Sequence, residues 1–146
     1  MINMTCNLIR TACLLTLLLS AVCASATSLI PAAEMAGLQK ASEKARTAKP
    51  GSAEQRRACK RVVRAGNALL KTHPAAPNHF QLLGMMLQNQ KVVLKLEKSD
   101  RNRKVLYQIC SQLVQAPDDW AKARLEADLL LSERELSGSD ASLQER

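Results

Sequence analysis

Ser52-Ala53-Glu54-Gln55-Arg56-Arg57-Ala58-Cys59-Lys60-Arg61-Val62-Val63-Arg64-Ala65-Gly66-Asn67-Ala68-Leu69-Leu70 decides the fold. Ser52 and Gln55 have the capping-box spacing, in which the serine hydroxyl accepts from the backbone three residues on and the glutamine reaches back. Behind that start, Ala58, Cys59, Val62, Val63, Gly66, Leu69 and Leu70 recur with the period of one helix face. Arg56, Arg57, Lys60, Arg61 and Arg64 take the opposite phase. The stretch is therefore an amphipathic helix, apolar on one side and strongly basic on the other. His73-Pro74 stops it, because proline removes a backbone donor and clashes with the preceding turn.

The same pattern repeats outward. Pro77-Asn78 opens another helix, with Asn78 and Gln81 at the capping spacing and Phe80, Leu83, Gly84, Leu87, Val93, Leu94 and Leu96 behind them. It gives way near Ser99-Asp100, where Asp100 is placed to cap a helix carrying Val105, Leu106, Ile109, Cys110 and Leu113. Ala116-Pro117-Asp118 ends that helix and opens the next, with Trp120, Ala123, Ala127, Leu130 and Leu131 facing inward and Gly138 as its C-cap. Upstream, Pro31 suits the first position of a helix that becomes linker-like before the Lys49-Pro50-Gly51 break. The reading divides the chain into a signal peptide over 1–26, a helix or linker over 27–51, a helical-hairpin domain over 52–138, and a tail or start of a further helix over 139–146.

Composition points the same way. Of 146 residues, 47% are hydrophobic but only 2% aromatic, with one each of Phe, Trp and Tyr and five each of Gly and Pro. The apolar content is Leu, Ala, Val and Met, which favours an all-α fold and disfavours a sandwich, a barrel or an aromatic-lined sugar or single-strand groove.

The N-terminus reads as an address. Arg10 precedes an uncharged run from Ala12 to Val22, too short for a spanning helix, and Ala24-Ser25-Ala26 offers a small-x-small cleavage site. The expectation is export to the periplasm or the extracellular space, with cleavage after Ala26. An uncleaved anchor and a lipoprotein through Cys23 are the alternatives, the latter weakened by Val22 where a small residue is expected. Cleavage would remove Cys6, Cys13 and Cys23 and leave Cys59 and Cys110 as an even pair in an oxidising compartment, so a disulfide between them is predicted, in a bridged monomer; two buried free thiols filling the core are the alternative.

Phe80-x-x-Leu83-Gly84-x-x-Leu87 resembles the first helix of a tetratricopeptide hairpin, and Ala65-Gly66-x-Ala68-Leu69-Leu70 running to His73-Pro74 resembles the second, a shape that recurs from Ile109 to Pro117. The repeat spacing is not kept. The resemblance implies antiparallel, tetratricopeptide-like helical hairpins in which Gly84 permits close helix approach; an up-and-down helical bundle is the alternative. A looser resemblance, from Leu69 to Glu133, is to the helical region preceding the thioredoxin domain of exported bacterial thiol:disulfide oxidoreductases. No Cys-x-x-Cys is present, so it implies an accessory helical part or fragment and transfers no redox role.

Candidate chemistry is sparse. His73 and His79 lack a third ligand at suitable spacing, Asp118 and Asp119 suit a helix first turn, and Met85-Met86 suits packing on the helix surface. No catalytic, cofactor or metal site is expected, and the chain is read as no enzyme. Charge asks for more. From Lys40 to Lys104 there are 16 basic and four acidic residues, and from Val105 to Arg146 four basic and eight acidic. The basic face of Arg56, Arg57, Lys60, Arg61 and Arg64 suits either a solvated face that keeps a small protein soluble or the binding of an acidic protein partner, an anionic lipid or another polyanion; export disfavours nucleic acid. The function expected is that of a non-catalytic protein-binding or scaffold module.

Overall fold

A computed structural model describes residues 28–144, with side chains as far as Leu136; the predicted signal peptide lies outside the described residues. Five helices follow one another: α1 (Ala32–Thr47), α2 (Ala53–Thr72), α3 (His79–Leu96), α4 (Asp100–Leu113) and, after a 3-10 turn at Asp118–Trp120, α5 (Ala121–Gln144). No strand occurs among the described residues. The short connections leave each helix no partner nearer than its predecessor, so consecutive helices pack as antiparallel hairpins. The chain is an all-α stack of such hairpins.

Local chemistry sets the boundaries. Ser52 Oγ accepts from Gln55 N at 3.1 Å and Gln55 Oε1 accepts from Gly51 N at 2.9 Å, so the predicted box closes one residue further back than the standard pattern. Gly51 makes the break before it with φ of 77°, a conformation that side chains resist. Ser99, not Asp100, caps α4: its extended backbone brings Oγ to 3.3 Å from Asn102 N, while Asp100 pairs with Arg103 at 3.0 Å. Asn78 is no side-chain cap either. Its amide is taken by Ile30, accepting from Ile30 N at 2.9 Å and donating to Ile30 O at 3.1 Å.

The interior centres on α3, whose Leu82, Leu83, Met86, Leu87 and Val93 are fully buried. Ile30, Met35 and Leu38 come in from the α1 end, Val62 and Val63 from α2, Leu106, Ile109, Cys110 and Leu113 from α4, and Ala127 from α5. Over 27–51 the expected helix is present but its linker-like end is not: Ala45, near the end of α1, is fully buried against Ala58, Cys59 and Val93. At the other end, α5 runs through Gly138 to Gln144, which replaces the expected C-cap and separate tail over 139–146.

Two further expectations fail on packing. The tight glycine is Gly66 rather than Gly84: a Cβ on Gly66 would lie 2.5 Å from Met86 Sδ, whereas one on Gly84 would meet only Trp120, at 3.8 Å. Met86 accordingly belongs to the core and not to the helix surface.

The clasp on Ile30 gives a first prediction. Asn78→Ala leaves both backbone groups of a residue only 1% exposed without their partners and should destabilise by about 1–2 kcal/mol. Asn78→Asp keeps the acceptor and loses the donor, so urea unfolding should place it between the two.

Candidate interaction surface

The five-residue basic face of α2 divides in the fold. Arg56 and Lys60 turn toward Glu97, the residue that ends α3: Arg56 Nη1 lies 3.2 Å and Lys60 Nζ 2.8 Å from Glu97 Oε2. Asn102 Nδ2 donates to the Glu97 carbonyl at 2.8 Å, and Gln90 Nε2 to the Asn102 carbonyl at 2.8 Å. This network ties α2 to the α3–α4 turn. The Lys60 hydrogen bond, with further help from Asn102 and Arg56, holds the Glu97 carboxyl below its ordinary range.

A lowered carboxyl contributes to stability above its unfolded value and ceases to do so as pH falls through the folded one. Glu97→Gln should therefore be less stable than the parent at pH 7, with the gap closing as pH drops below ~4.3. Urea titrations at pH 7 and pH 3 check it.

Arg57, Arg61 and Arg64 remain exposed and pair with no carboxylate among the described residues. Their i, i+4, i+7 spacing makes a ridge about 10 Å long. They line a shallow depression of about 460 Å³, which adjoins a cleft of about 250 Å³ between α2 and α4. That cleft adds Arg101, also exposed and without an ion pair, which sequence reasoning missed because it stands 37 positions after Arg64 and only the packing of α2 and α4 on α3 brings it near.

The cysteines are not brought together. Both are buried free thiols, which corrects the predicted bridge. Cys59 faces α1 and α3 at Ala45 and Val93, whereas Cys110 lies in the main core and feels Glu126 of α5 and Lys91 of α3. The two side chains address different sides of α3, and a shared apolar phase on two helices does not choose a shared side. Burial raises both pKa values, to about 11 for Cys110, where Glu126 adds to the effect. A protonated, buried thiol is a poor nucleophile. An alkylating agent added to the native protein should spare Cys59 and Cys110 and label both once urea unfolds it, as peptide mass mapping would read; failure to label them in urea without reductant would reinstate the bridge.

His73 ends α2, its backbone N–H donating to Leu69 O at 2.8 Å. His79 Nδ1 contacts the Ala76 carbonyl at 2.6 Å, and its ring stacks on Phe80 at 3.8 Å between centroids. Asp118 lies in the 3-10 turn and pairs with Arg124 at 3.0 Å, while Asp119 is exposed beside it. No group of three His, Cys, Asp or Glu converges in a metal-holding arrangement among the described residues, and none of the described helices is long and apolar enough to cross a membrane. No protein-family model, curated protein or solved structure matches the chain.

Proposed function

We propose that the chain is an exported, non-catalytic helical module that docks an acidic segment of a partner protein on the ridge of Arg57, Arg61 and Arg64, continued across the cleft by Arg101. One observation carries this reading: the four guanidinium groups form no ion pair among the described residues, although Glu54 and Glu97 line the same hollows, while their neighbours Arg56 and Lys60 are both engaged by Glu97. Guanidinium groups present a fixed fork of donors that matches carboxylates, so a free cluster favours capture of an acidic chain over simple solubility. The tetratricopeptide-like hairpins serve here as a rigid support. Export fits through the N-terminal segment, and the mature N-terminus should then be Thr27 by mass spectrometry.

The test is binding of a fluorescent peptide of alternating Glu and Ser, measured by anisotropy at 50 and 300 mM salt. The parent should bind with marked salt dependence, and the Arg57→Gln, Arg61→Gln, Arg64→Gln triple variant should bind at least tenfold more weakly. Its melting temperature should barely move, because exposed, unpaired side chains contribute little to stability. Equal binding by the triple variant overturns the assignment. Retention on vesicles containing anionic lipid without peptide binding would transfer the ridge to a membrane partner.

A further inference from the structure

α5 carries a second surface of opposite character. Its inner side packs against the core through Ala123, Ala127, Leu130 and Leu131. Its outer side presents Leu125, Leu129 and Leu136, which are 61%, 58% and 67% exposed. At 100° per residue these three fall within about 40° of one another and extend about 16 Å along the axis, an apolar line broken only by exposed Ser132 between Leu129 and Leu136. Three of the four large exposed hydrophobics in the described part of the molecule lie on this one line.

The borders of the stripe say what covers it. Asp128 and Glu135, both exposed, flank it on one side; on the other stand Lys122 and Glu133, with Glu126 beyond them. Glu126 also meets Lys91 and Gln88 of α3, which fixes that border against the body of the protein. A second copy of α5 is a poor occupant, since antiparallel pairing sets Asp128 and Glu135 against their own copies, and like charges across a helix pair repel. The complement is a helix with its own apolar stripe and lysine or arginine on the shoulder that meets Asp128 and Glu135.

We propose that the outer face of α5 is a docking site for a basic amphipathic helix of a partner protein. The leucines supply the buried contact, and Asp128 and Glu135 set orientation and exclude acidic competitors. This surface is separate from the arginine ridge, and the two select partners of opposite charge.

The experiment uses the purified protein and three fluorescent 18-residue helical peptides. The first has Leu on a heptad stripe and Lys along one shoulder; the second replaces the Leu with Ser, and the third replaces the Lys with Glu. The first should bind at micromolar concentration, at least tenfold more tightly than either of the others. Leu129→Ser with Leu136→Ser should weaken it at least tenfold. Asp128→Asn with Glu135→Gln should weaken it severalfold at low salt and not at high salt. The triple arginine variant of the ridge should bind it as the parent does, so that the two surfaces stand or fall apart. Because the altered positions are exposed, circular dichroism should find each variant as helical as the parent. Equal binding of the Ser peptide, or full binding by the double leucine variant, overturns the proposal. A dimer in sedimentation equilibrium that the double leucine variant abolishes would give the face to a second copy instead, and also overturns it.

Discussion

Gly66→Leu should destabilise the fold by about 3 kcal/mol and lower the melting temperature by roughly 10 °C. Even a Cβ there would sit 2.5 Å from Met86 Sδ, 2.7 Å from Met86 Cγ and 3.3 Å from Leu82 Cδ1. Both neighbours are fully buried on α3, so a leucine must displace them within the interior, where only Met86 borders a cavity, of about 200 Å³. The substitution gains up to about 1 kcal/mol of helix propensity, which is too little to offset the overlap. Gly84→Ala is the control. Its new methyl would make an ordinary contact with Trp120, and the helix propensity should leave it neutral or up to ~1 kcal/mol more stable. Denaturant unfolding of the two variants with circular dichroism decides the matter; equal losses would mean that α2 and α3 approach elsewhere.

Alkaline pH should weaken the protein through Cys110. The unfolded thiol ionises near its ordinary value of 9.0, while burial in the folded chain pushes it up to about 11. The folded state therefore holds the proton that the unfolded state releases, and stability is complete below pH 9 and falls as pH rises toward 11. Two units correspond to about 3 kcal/mol. Cys110→Ala removes this titration at the cost of a small cavity, about 1 kcal/mol at pH 7. The parent should thus be the more stable protein at neutral pH and the variant the more stable one at pH 11. Parallel urea curves across that range would show a crossing, and curves that keep a constant separation would contradict the assignment.

The helices were legible because their signals are local. Ser52 with Gln55, and the apolar phase of Val62, Val63 and Gly66, lie within a few turns of one another, and the structure places them on one buried face. What the sequence could not convey was which groups meet across helices. Asn78 has the identity and position of a cap, but its amide is claimed by a backbone 48 positions away. Glu97 draws two of the five basic side chains out of the surface, and nothing near it in the chain marks it as their partner. Cys59 and Cys110 share a burial pattern that is equally consistent with contact and with separation. The resemblance to tetratricopeptide hairpins pointed at Gly84 for close packing, whereas the overlap lies at Gly66, on the neighbouring helix.

Neighbour-on-neighbour packing carries a kinetic consequence. When each helix gains most of its contacts from the one beside it in sequence, little chain entropy is lost before those contacts form, and helical topologies of this kind reach the native state in microseconds to milliseconds. The α2–α3 and α3–α4 hairpins can consolidate without waiting for either end. The amide clasp between Asn78 and Ile30 is the exception, because it must close a 48-residue loop. It should form late in folding and open early under native conditions, so that in hydrogen exchange the Ile30 amide trades its proton well before those of Leu83 and Leu87 do.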